Sequence, residues 1–230
     1  MSNTDECRQY MPAQVKLDCF NQRCTLSCGL TVEHARKAME DFIEFLGFIN
    51  QQLCSKGIPS FESLLIPATF SGIVGEYIAM RVPEYSDSLV KNRYHNGHPD
   101  LIPKGKFDGD AVQHGSEGIE VKASRYARGW QGHNPESSWL MVFHVDSHSS
   151  NSIASGIPFS PFRCKGVYAA RLDQSDWAFA GRSETSRRTI YCQRDSERSP
   201  ENAGQLDVPG FTAAEAIAGF LSRRAQTKPG

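Results

Sequence analysis

The chain has 230 residues and a mass of 25.6 kDa, and its 39% hydrophobic content suffices for one sizeable core with appended arms. Lys and Arg number 25 against 26 Asp and Glu, so the net charge of −1 carries no global nucleic-acid signature and only local clusters can argue for one. Glu44, Glu62 and Glu76 interrupt the most apolar segments and residues 1–7 lack a signal-peptide pattern, so a cytoplasmic protein with no membrane partner is expected.

Residues 1–29 show no clear period and read as an irregular N-terminal arm, with residues 30–230 as a single domain. Four of the seven cysteines, Cys7, Cys19, Cys24 and Cys28, fall in the arm. Without a secretory signal they are expected as reduced thiols rather than disulfides. Zinc sites usually pair closely spaced cysteines twice. Cys24 and Cys28 would make one loose pair, but Cys7 and Cys19 stand too far apart for the second. A helix follows, capped by Thr31 and ended by Gly57. Ala35, Ala38, Met39, Phe42, Phe45, Leu46, Ile49 and Leu53 recur along it at three- and four-residue steps. The aromatic series Phe42, Phe45, Phe48 fits core or a dimer contact. A second helix is expected over about 68–80, stopping before Pro83 because the residue before proline avoids helical geometry. Ile73, Tyr77 and Met80 form its apolar stripe, and Gly72 and Gly75 allow close backbone approach. Glu76 borders the stripe, and an acid beside a buried face needs a partner.

Residues 84–98 are polar and read as a strand or loop. Pro99 and Asp100 then precede a turn-rich stretch, 104–110, and an apolar strand, 118–124, which together read as a β-hairpin. On that strand Glu120 and Lys122 share a face while Val121 points the other way, into apolar packing. The hairpin brings Asp100 alongside Glu120. Two neighbouring carboxylates repel, a divalent cation relieves them, and oxygen-only ligands favour a hard ion such as Mg²⁺. Residues 125–134 are too glycine-rich and polar for a helix and read as a loop beside this site, with Ser124 at its base. Arg125 and Arg128 suit phosphate or guanine, Gln131 and Asn134 suit adenine, and Trp130 and His133 add further contact chemistry. An apolar strand over 139–145 is expected to be buried on both faces. The serine- and histidine-rich stretch 146–155 reads as mobile. Strands over 166–172 and 177–181 follow, with 189–192 pairing with the latter after a turn. Arg182, Arg187 and Arg188 form a second basic set. Thr212 and Glu215 make a capping box that opens a C-terminal helix at about 212–224.

Pro99-Asp100 followed by Glu120-Val121-Lys122 resembles the motif of the PD-(D/E)xK nuclease superfamily, which includes most type II restriction endonucleases. The resemblance runs from about Phe70 to Tyr191: a helix carrying Glu76, the hairpin with its acids, then another apolar strand. It implies an α/β fold, a restriction-endonuclease-like core with a mixed central β-sheet flanked by helices, and a catalytic core over about 68–192. It also implies Mg²⁺ held by Asp100, Glu120 and the Val121 carbonyl, with Lys122 beside the attacking water. Glu76 would hold a water or a second ion. The implied substrate is double-stranded DNA, cut to a 5′-phosphate and a 3′-hydroxyl, by a homodimer acting on a short palindrome. Two other readings stay open: a repair or modification-dependent defence nuclease with the same core, and a non-catalytic DNA-binding module. The intact set Glu76, Asp100, Glu120, Lys122 argues against the module.

Overall fold

The computed structural model describes residues 7–16, 26–126, 131–132, 137–182 and 188–192; Cys19, Cys24 and the expected C-terminal helix lie outside them. The first long helix, α1 (Val32–Cys54), begins as its sequence requires. Thr31 Oγ1 accepts the His34 N–H at 3.2 Å, and His34 Nδ1 accepts the Thr31 N–H at 3.3 Å. Ala35, Ala38, Met39, Phe42 and Leu46 are buried, as the pattern predicts. Beyond Leu46 the buried line shifts to Gly47, Asn50 and Cys54, leaving Ile49 and Leu53 half-buried and Phe48 61% exposed. The arm causes this shift, because it packs there. A Cβ on Gly47 would lie 3.0 Å from Met11 Cε, Asn50 Nδ2 donates to the Tyr10 carbonyl at 2.9 Å, and the Ala13 N–H donates to the Phe162 carbonyl at 2.7 Å.

The expectation of reduced thiols fails at Cys7, which forms a disulfide with Cys54 at a Cα–Cα distance of 5.7 Å. The bond ties the arm to the end of α1 and removes Cys7 from any zinc site. Helix α2 (Pro67–Tyr85) also departs from expectation, since it runs through Pro83. Arg81 Nε and the Tyr85 hydroxyl both donate to Asp41 Oδ2 at 2.6 Å, anchoring the last turns to α1 where the proline weakens them. Its buried face is Phe70, Val74, Ile78 and Val82 rather than Ile73, Tyr77 and Met80; Met80 is 50% exposed. The helix is apolar nearly all round, so period alone does not choose a face.

Five strands form the main sheet in the order β1 (Leu89–Lys91), β2 (Leu101–Pro103), β3 (Ile119–Ser124), β5 (Trp139–Asp146), β6 (Arg163–Arg171). Only β3 and β5 run parallel, so the sheet is mixed and the fold is α/β. Ile119, Val121, Met141, Phe143, Val145, Val167 and Ala169 face the helices, where Phe42, Phe70 and Phe162 meet at ring-centroid distances of 5.3–6.2 Å. The opposite face carries a smaller cluster of Leu140, Val142 and Leu172 with Ala170 and Trp177 packed on it. β5 is therefore covered on both sides, as its unbroken apolar run predicts. Residues 146–155, read as a serine- and histidine-rich mobile stretch, carry some regular structure. They hold a short helix, α3 (Ser150–Ala154), closed by a reciprocal Ser149–Ser152 capping box, with Ser147, His148 and Ser149 buried. A second sheet orders β4 (Gln131–Gly132), β8 (Arg188–Cys192) and β7 (Trp177–Arg182), so part of the expected loop 125–134 is a strand paired with β8. Among the described residues no helix is long and apolar enough to cross a membrane.

Candidate active site

The β2–β3 hairpin forms in the expected sense, antiparallel with Leu101 opposite Ile119. Gly118 makes that close approach possible: its φ is +137°, and a Cβ there would lie 2.2 Å from the Leu101 carbonyl oxygen and 2.5 Å from Pro99 Cγ. Strand alternation sends Val121 into the core and Glu120 and Lys122 into a cleft of about 620 Å³ on the other face. Asp100 lines the same cleft and accepts the Val121 N–H at 2.9 Å through Oδ2. Helix α2 crosses closely behind: a Cβ on Gly75 would lie 3.7 Å from the Val121 carbonyl oxygen and 4.0 Å from Lys122 Cα. Gly72, by contrast, faces open space.

Glu120 is held from two sides. Lys122 Nζ donates to Oε1 at 2.7 Å, and His98 Nδ1 lies 2.8 Å from Oε2. His98 Nε2 is in turn 3.3 Å from Ser138 Oγ. Burial disfavours the Glu120 charge, but the His98 hydrogen bond and the Lys122 ammonium outweigh it and hold the carboxyl below its ordinary range. Asp100 goes the other way, pushed up to about 7 by burial and by the neighbouring Glu120 charge, against the opposing Val121 N–H and Lys122. The pair therefore sits in charge tension that a cation would relieve.

Glu76 is not the inward acid that its position beside the expected stripe suggested. The true buried face of α2 turns it outward, 69% exposed at the cleft rim, where Lys91 Nζ lies 2.5 Å from its Oε2. Among the described residues no three His, Cys, Asp or Glu side chains are grouped to hold a metal ion. Mg²⁺, however, takes one or two carboxylates and fills its octahedron with water and substrate phosphate oxygens. Asp100 and Glu120 fit that demand.

The wall beside the carboxylates escaped the sequence reading. Residues 91–98 line the cleft together with His114, Ser138, Leu140 and Trp177. Buried Asn92 organises this wall. Its Nδ2 donates to the Pro99 and Val112 carbonyls at 3.1 and 2.8 Å, and its Oδ1 accepts the Tyr94 and Val112 N–H groups at 3.0 and 3.1 Å. The Asn92 N–H also donates to the Asp100 carbonyl at 2.8 Å, and a cis bond joins His98 to Pro99. The one signal available was His98 itself, two positions before Asp100 in the sequence.

Of the expected DNA contacts, Ser124 Oγ accepts the Tyr126 N–H at 3.0 Å, and Arg125 Nη1 donates to Ser149 Oγ at 3.0 Å. Gln131, Arg182 and Arg188 lie on β4, β7 and β8 of the second sheet. Arg128, Trp130, His133, Asn134 and Arg187 lie outside the described residues. Comparison of the chain with protein-family models, with curated proteins and with solved structures found no match in any of the three.

Proposed function

We propose that this cleft hydrolyses phosphodiester bonds in double-stranded DNA with Mg²⁺, as the core of a type II restriction endonuclease. The observation that carries the reading is the gathering of Asp100, just ahead of β2, with Glu120 and Lys122 on the paired strand β3, the Asp100 carboxyl being pushed up beside a charged Glu120. With both groups ionised such a pair disfavours the fold, and it suits a bound cation. Asp100 and Glu120 would hold Mg²⁺, with the Val121 carbonyl leaving the same edge of β3 as the Val121 N–H. When bound, the ion supplies charge neutralisation at the phosphate and acidifies water.

The remaining work belongs to the chain. Lys122 orients the attacking water and stabilises the negative charge that builds on the phosphoryl oxygens. The water oxygen bonds to phosphorus, the bond to the 3′-oxygen breaks, and that oxygen takes a proton, leaving a 5′-phosphate and a 3′-hydroxyl. His98 fixes the Glu120 rotamer through its 2.8 Å contact. Glu76 at the rim can hold an outer water. Cutting both strands at a palindrome calls for two such sites, hence a homodimer. Incubation of the protein with phage DNA and Mg²⁺ tests the reading. Discrete bands support a sequence-specific enzyme, a smear points to a nuclease of the same core without sequence reading, and intact DNA refutes hydrolysis.

A further inference from the structure

We propose that residues 93–98 form a preorganised phosphate-binding wall that grips the DNA backbone beside the scissile position, through Arg93 with His95 in support. The inference rests on the phosphodiesterase reading and adds a backbone contact to the residues at the chemistry. Three observations carry it. The wall starts at the chemistry, because the Asn92 N–H donates to the Asp100 carbonyl, which puts Arg93 one residue beyond that bond. Its backbone is pinned. Asn92 uses all four of its side-chain hydrogen-bonding positions, the Arg93 N–H donates to Asp110 O at 3.0 Å, the His98 N–H donates to Gln113 O at 3.0 Å, and a Cβ on Gly97 would lie 2.5 Å from both Asn92 Nδ2 and the Val112 carbonyl.

Third, the cations of the cleft differ in their engagement. Lys91 is paired with Glu76 and Lys122 with Glu120. The exposed side chains of Arg93 and His95 line the same cleft and make no hydrogen bond or ion pair among the described residues. An Arg fork matches phosphate oxygens in a bidentate way, and a histidine can donate to phosphate in either protonation state. A rigid backbone beneath them lowers the ordering cost of binding. The ligand this chemistry fits is a phosphodiester backbone.

The test uses the full chain and a labelled DNA duplex in Ca²⁺, with binding measured over a salt series and cleavage measured in Mg²⁺. Arg93→Ala should bind about tenfold to a hundredfold more weakly, as loss of a charge-assisted hydrogen bond implies. Its salt slope should fall by about one. KM should rise with kcat held, and the melting temperature should not move, since the side chain supports nothing in the fold. Arg93→Lys should recover part of the affinity, and Arg171→Ala, an exposed arginine at the end of β6, controls for loss of one positive charge. Wild-type binding by Arg93→Ala, or a loss no larger than that of Arg171→Ala, overturns the inference while cleavage by the wild type keeps the reading beneath it. A wild-type protein that neither binds nor cuts DNA overturns both.

Discussion

Replacing Asp100 by asparagine should stabilise the protein, and the gain should grow with pH. In the folded chain the Asp100 carboxyl titrates at about 7, against 3.8 for the ordinary group. The folded state therefore keeps a proton that the unfolded chain gives up between those values. The sign follows directly: this group's contribution to stability is fully present below pH 3.8, is lost as pH rises through 7, and is constant above. A shift of about three units at 1.36 kcal/mol each makes the loss on the order of 4 kcal/mol at pH 8. Asparagine keeps an acceptor for the Val121 N–H, so Asp100→Asn removes the charge without orphaning its partner. Urea unfolding in chelator, from pH 4 to pH 8, should give a variant-minus-wild-type difference near zero at pH 4, rising to about 4 kcal/mol at pH 8. Glu120, held low, acts in a lower window and in both proteins alike. Mg²⁺ at pH 8 should stabilise the wild type and not the variant. A difference independent of pH, or a variant less stable than wild type at pH 8, would refute the reasoning.

Three further outcomes are expected. His98→Ala frees one side of Glu120 and should weaken Mg²⁺ binding measured by calorimetry; unchanged metal affinity would remove His98 as a positioning residue. Gly118→Ala puts a methyl group against the Leu101 carbonyl and Pro99, and at φ +137° should cost at least about 1–3 kcal/mol in urea unfolding and most of the cleavage rate; a fully active, equally stable variant would contradict the hairpin geometry. Calcium, larger and less acidifying than Mg²⁺, should support DNA binding without turnover, and cutting in excess chelator would exclude the proposed ion.

What the sequence made legible was periodic. The caps and apolar steps of α1, the alternation of β3 and the continuous apolar run of β5 each follow from one local rule, and together they placed Asp100, Glu120 and Lys122 in one cleft. Helix α2 was harder because nearly every face is apolar, so the buried one is chosen by tertiary packing against β3 at Gly75 and not by period. That same choice turned Glu76 outward. The Asn92 wall was invisible because it is built from side chain–backbone bonds between segments about twenty residues apart, which leave no repeat in the sequence. The Cys7–Cys54 bond spans 47 positions, and cysteine spacing alone does not specify a partner at that range.

The central claim is that Asp100, Glu120 and Lys122 act as one hydrolytic unit. Its most direct measurement is the cleavage rate of duplex DNA in Mg²⁺ for wild type, Asp100→Asn and Lys122→Ala, with folding checked by circular dichroism on the same samples. The expected result is a Mg²⁺-dependent wild-type activity that is abolished in both variants while their spectra remain native. Cleavage by either folded variant at the wild-type rate would contradict it.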